Sequence, residues 1–164
     1  MRSLLLAVLL CLGITLPAYC LEEDFAAKDS LGKLKLGLSA DEVIKTLGKP
    51  ASKGKDVEWE AIGEFVQEWK FPDQGINLNM TSAKKGGAKK VLMITATAPS
   101  KLATARGITI GSPEAAVKKA YGSVRDEEQS VAGKTFVAGS VYGGVIFQFK
   151  DGKVSEIFIG AAAE

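Results

Sequence analysis

The chain has 164 residues, 21 lysines and arginines against 19 aspartates and glutamates, and no histidine. That length suits one domain or two very small ones, and 46% hydrophobic with 24% charged residues excludes a disordered or fibrous chain. Without histidine there is no Ser-His-Asp or Cys-His nucleophile system, no His-containing zinc or non-haem iron site, and no imidazole acid–base chemistry.

Residues 1–20 have the three parts of a secretory signal: Arg2, an apolar run from Leu4 to Leu16, and Ala18-Tyr19-Cys20 with small residues at positions −3 and −1 of a cut before Leu21. The run is shorter than the ~20 residues a membrane span needs. The expectation is export, to the periplasm or outside the cell. A second reading lipidates Cys20 and gives membrane contact by that route alone, although bulky Tyr19 departs from the small residue such sites prefer. Ordinary cleavage leaves a chain without cysteine, so stability rests on core burial. The near-neutral charge balance speaks against a dedicated nucleic-acid binder.

Two stretches of the remaining chain line up without gaps, Leu34 to Gly48 on Ile108 to Gly122. Each reads as a strand-like entry, a turn glycine (Gly37, Gly111) and a short helix. In the first, Ser39 is the expected N-cap and Glu42 completes a capping box. In the second, Ser112 is the expected N-cap and Pro113 the first helical residue. Val43 and Leu47, like Val117 and Tyr121, lie four apart on one face, toward a core. Gly48 and Gly122 are expected as left-handed helix stops.

Period-two alternation then predicts half-buried antiparallel strands. In the first stretch they are Glu64 to Phe71, Ile76 to Thr81 and Val91 to Thr97, with Asp56 to Ile62 as a further strand. In the second they are Lys134 to Tyr142, Val145 to Phe149 and Val154 to Ile159, the last two joined by the hairpin signal Asp151-Gly152. Gly143-Gly144 reads as a strand junction. The fold class is α+β: a signal segment 1–20, a first helix-then-sheet repeat 21–98 and a second 99–164, whose sheets have room to run on into one curved surface.

Lys84, Lys85, Lys89 and Lys90, interrupted by Gly86-Gly87, form the densest charge run. Such runs are usually solvated, and here the expected structure is a hairpin tip. As a site it suits an acidic partner or an anionic surface, and no aromatic is interleaved to stack a base. Trp59, Trp69 and Tyr142 are the aromatics of interest, as core residues or as binding anchors. Among the acids, Asp126-Glu127-Glu128 and the pair Glu58 and Glu60 suit two-carboxylate hydrolysis or calcium in principle, but no calcium-loop spacing is present. No cofactor motif is found.

The phrase Leu36-Gly37-Leu38-Ser39-x-Asp41-Glu42-Val43-x-x-x-Leu47-Gly48-x-Pro50 resembles the repeat of the β-lactamase inhibitor proteins. It is also similar to the domain of the small lipoproteins of the outer-membrane barrel-assembly machinery. Arg106-Gly107-Ile108-x-Ile110-Gly111 with Val117 and Tyr121-Gly122 resembles the same repeat. The resemblance implies a helical lead-in before an antiparallel sheet, two units in tandem, and protein-binding or envelope-scaffold work without catalysis. The expectation is therefore an exported, non-enzymatic module for a protein partner that the sequence does not name. The alternatives are a lipid-anchored envelope component and, behind it, a carboxylate-based enzyme.

Overall fold

Alternation along Glu64–Phe71 builds the third of eight strands in a single antiparallel sheet, described for residues 25–162 of a computed structural model. The signal segment expected over residues 1–20, and with it Cys20, lies outside the described residues. The strands are β1 (Ser52–Lys53), β2 (Val57–Trp59), β3 (Glu64–Phe71), β4 (Ile76–Ser82), β5 (Lys90–Thr97), β6 (Thr135–Ala138), β7 (Gly144–Lys150) and β8 (Lys153–Gly160). Their order across the sheet is β1-β3-β4-β5-β8-β7-β6, with β2 beside β1 along the outer side of β3. The two sheets expected from the sequence are joined where β5 pairs with β8, Ile94 opposite Ile159 and Ala96 opposite Ile157.

Three helices cover one face: α1 (Phe25–Lys28), which the sequence did not signal, α2 (Ala40–Leu47) and α3 (Glu114–Tyr121). Their inward residues Ala26, Val43, Val117 and Tyr121 meet Trp69, Leu78, Ile94, Phe147 and Ile157 in one core. Phe147 lies 5.0 Å from Tyr121 and 6.3 Å from Phe136, ring centre to ring centre. Val66, Val137 and Ile146 are buried as well, but alternation puts them on the opposite face, outside this core. No helix covers that face among the described residues.

Both longer helices are fastened to a hairpin in the same way. Gly37 N–H donates to the Val91 carbonyl and Val91 N–H to Leu38, each at 2.8 Å, and Ala40 N–H reaches Lys89 at 3.0 Å. Gly111 N–H donates to Val154 and Val154 N–H to Ser112, each at 2.8 Å, and Glu114 N–H reaches Gly152 at 3.0 Å. The helices are two turns long, too short to persist by propensity, so these bonds and the core hold them.

The helix ends differ from expectation in the second stretch. Ser39 and Glu42 form the capping box as read: Ser39 N–H donates to Glu42 Oε2 at 2.8 Å and Glu42 N–H to Ser39 Oγ at 3.4 Å. Ser112, however, is not the N-cap of α3. Pro113 is, with extended φ and ψ, because Ser112 Oγ is drawn back to accept from Thr109 N–H at 3.0 Å. Gly48 stops α2 at φ 84°, whereas Gly122 stays right-handed at φ −57° and leads into a 3₁₀ turn, Gly122–Val124.

Two strands also end earlier than their alternation predicts. The run Lys134 to Tyr142 is strand only to Ala138: Gly139 turns at φ 83° with its α-carbon against the Phe25 ring, where a Cβ would collide. The Asp56 to Ile62 run is strand only over Val57–Trp59, after which the chain turns through Ile62 and Gly63, whose N–H groups donate to the Trp59 carbonyl. The hairpin signal at Asp151-Gly152 is realised, with φ 53° and 71° between paired Lys150 and Lys153.

Candidate functional site

The residues singled out in the sequence fall in several separate places. Trp59 lies on the uncovered face of β2, half-buried beside Val57 and across from Glu64. With Val66, Glu68, Asn79, Gly54 and Lys55 these two line a slot of about 260 Å³. The slot exists because β1 and β2 do not meet: Lys53 is opposite Trp69 and Val57 opposite Val66, so Gly54 to Asp56 span a bulge against Gln67 and Glu68. Val57 is 54% exposed and Ile62 46%, so apolar surface gathers at this edge of the sheet.

Trp69 is not an exposed anchor. It sits on the helix side of β3 at 2% exposure, with Nε1–H donating to Gln67 Oε1 at 2.8 Å. Tyr142 is 73% exposed in the turn between β6 and β7. That turn and β2 lie toward opposite edges of the sheet, roughly 25 Å apart at ~4.8 Å per strand, so the three aromatics form no common patch.

The lysine run is divided. Lys84, Lys85 and Lys90 are exposed, as expected of a hairpin tip. Lys89 is not: its side chain is 8% exposed and paired with Asp56, itself 10% exposed. Lys89 Nζ also donates to Ser82 Oγ at 3.1 Å, and Gly86 N–H donates to Asp56 Oδ2 at 2.7 Å. The Lys89 hydrogen bond, then the Gly86 N–H, hold the Asp56 carboxyl below its ordinary pKa. Sequence reading missed Asp56 because it lies in another strand run; its opposite charge was the available signal.

Above this pair, between α2, β1 and the Gly86–Lys89 turn, runs a groove of about 450 Å³. Ala40, Ile44 and Ala88 supply apolar walls, and Asp41, Lys53 and Gln67 polar ones. Lys53 Nζ stands 3.8 Å from the centre of the Trp69 ring and so caps the buried indole.

The acids do not converge on a reacting centre. Asp126 Oδ1 accepts from the N–H groups of Glu128 and Gln129, both at 3.0 Å, and Glu127 pairs with Arg125 at 2.9 Å. Glu58 and Glu60 are exposed at the β2 edge. No group of three or more carboxylate or thiol side chains is placed to hold a metal ion among the described residues.

Among known proteins, no family model, no curated protein and no solved structure matches the chain.

Proposed function

We propose that the chain is an exported, non-catalytic module that binds a protein partner on the uncovered face of its sheet. One observation carries the reading: the helices all lie on one side, and the other presents Trp59 and Val57 around a slot at an apolar edge. A half-buried tryptophan beside polar Glu68 and Asn79 is the mixture found at protein-binding hot spots. The likeness to the β-lactamase inhibitor proteins and the small envelope lipoproteins belongs to the same proposal, as does the tandem repeat. The support for the repeat is that Gly37, Leu38 and Ala40 hang on their hairpin by the bonds that Gly111, Ser112 and Glu114 make to theirs.

The test is affinity capture from the protein's own envelope extract with residues 21–164 as bait, at low and high salt. One stoichiometric partner that survives high salt and is lost with Trp59→Ala or Val57→Lys is the expected result. Capture that both substitutions leave unchanged overturns the assignment of the face.

A further inference from the structure

We propose that an extended segment of the partner protein adds to the sheet beside β2, with a basic residue opposite Glu58 and apolar ones opposite Val57 and Trp59. The proposal rests on reading the chain as a protein-binding module and names how the partner docks.

The two edges of the sheet are not alike. At the β6 edge the chain covers its own strand: Gly139 N–H donates to the Val124 carbonyl at 2.8 Å, Asp126 N–H to Val137 at 2.9 Å, and Val137 N–H to Ser130 Oγ at 3.0 Å. At the other edge β2 pairs with β3 alone, and no strand or bridge reaches its outer side among the described residues. Such an edge presents backbone donors and acceptors to an extended chain.

Its side chains make two unlike faces. Val57 and Trp59 point to the uncovered face, where they wall the slot, and Glu58 points to the other. Val57 and Ile62 are two of the four large hydrophobic residues that are exposed among the described ones. This edge is therefore not blunted by charge on both faces.

Glu58 is the one charged residue of β2 and makes no ion pair among the described residues. Of the charges along the same edge, Lys53 lies over Trp69 and Asp56 is bound to Lys89. Lys55 stands in the bulge, and Glu60 lies past the strand end. A residue set directly across from Glu58 by an added strand meets that carboxylate, so a lysine or arginine there is favoured over an acid. The preference belongs to this position and not to the net charge of the edge.

A second copy is the occupant that this pattern opposes. Paired strands share faces, so a two-fold pairing of β2 with β2 sets even-numbered residues opposite even-numbered ones. Those are Asp56, Glu58 and Glu60. Each register that overlaps the two strands then puts Glu58 against an acid of the other copy, which is unfavourable.

The test uses purified residues 21–164 and three acetylated, amidated peptides: Thr-Val-Lys-Val-Thr, its glutamate counterpart, and the lysine peptide N-methylated at Val-Lys-Val. The expected result is saturable binding of the unmethylated lysine peptide alone, with slower amide hydrogen exchange over residues 56–60. Methylation removes binding, because the added strand docks by its backbone. Glu58→Gln weakens it by up to about fivefold, the range of one exposed ion pair, and Glu58→Lys transfers the preference to the glutamate peptide. Unchanged exchange over 56–60, equal binding of the methylated peptide, or indifference to Glu58→Lys overturns the proposal. So does a parent chain that is dimeric with its β2 amides already protected, since a second copy then fills the edge. If Trp59-dependent capture persists while the lysine peptide does not bind, strand addition alone is wrong. If the peptide binds at β2 while capture is indifferent to Trp59 and Val57, the sheet face alone is wrong.

Discussion

The Tyr121 hydroxyl donates to Asp29 Oδ2 at 2.8 Å, joining residues 92 positions apart. The other carboxylate oxygen accepts from Ser30 N–H at 2.7 Å and Ala105 N–H at 3.0 Å. Arg106 closes the arrangement, its guanidinium 4.7 Å from the Tyr121 ring centre and 5.3 Å from Phe25, and it donates to the Ala120 carbonyl at 2.9 Å. The segment that precedes α2 is thus bound to the end of α3. Tyr121→Phe leaves a buried carboxylate short of one donor and is expected to lower stability by about 1–3 kcal/mol. Urea denaturation followed by circular dichroism measures it; a loss below ~0.5 kcal/mol would mean water replaces the phenol.

The same phenol sets an alkaline limit. Burial, and then the neighbouring Asp29 carboxylate, raise the Tyr121 pKa far above the ordinary value near 10. In the unfolded chain it ionises first, so the unfolded state holds fewer protons above pH 10. Stability then falls as pH rises, by about 1.4 kcal/mol per unit for one proton. The expected signature is a decline of the unfolding midpoint above pH 10 that Tyr121→Phe abolishes. A parallel decline in the variant would assign it to other groups.

Lys89 and its neighbours in the run are expected to behave differently. Lys89→Ala strands the Asp56 carboxylate in a site 10% exposed and costs about 3 kcal/mol. Lys84→Ala and Lys85→Ala stay within about 0.5 kcal/mol, as exposed positions do. Because the Asp56 pKa is lowered in the fold, its contribution is present above pH ~4 and disappears as pH falls through the lowered value. Thermal melts at pH 7 and pH 3 should show the gap between Lys89→Ala and the parent narrowing in acid.

The two tryptophans separate stability from binding. Trp69→Ala removes a core ring and is expected to cost about 3–5 kcal/mol. Trp59→Ala, on the uncovered face, is expected to cost about 1 kcal/mol or less while removing capture. Equal losses in denaturant titrations would place Trp59 among the structural residues.

At α2, Ser39→Ala removes the hydroxyl half of the capping box, leaves the backbone N–H of residue 39 to donate to Glu42, and is expected to lower stability by about 1 kcal/mol. Pro113→Ala leaves α3 without loss of a side-chain cap, since Pro113 makes none. Denaturant midpoints of the two variants check this directly.

Elements whose cause is local were legible in the sequence. Alternation placed β3, β4, β7 and β8, the spacing of Ser39 and Glu42 wrote the capping box, and Asp151-Gly152 wrote its turn. Ser112 misled because a closer donor, Thr109 N–H, claimed the hydroxyl before the helix could. The early end of β6 was equally hidden, since Gly139 turns where Phe25, distant in the chain, packs against it. In one lysine run, the tertiary structure alone chose the member to bury: Asp56 reaches Lys89 across the bulge between β1 and β2. It also set Trp59 and Trp69, ten residues apart on neighbouring strands, on opposite faces. The physical reason is common to these cases. Periodicity and caps are settled by residues a few positions away, whereas which charge is neutralised and which ring is covered depends on atoms brought together only when the sheet closes over its core.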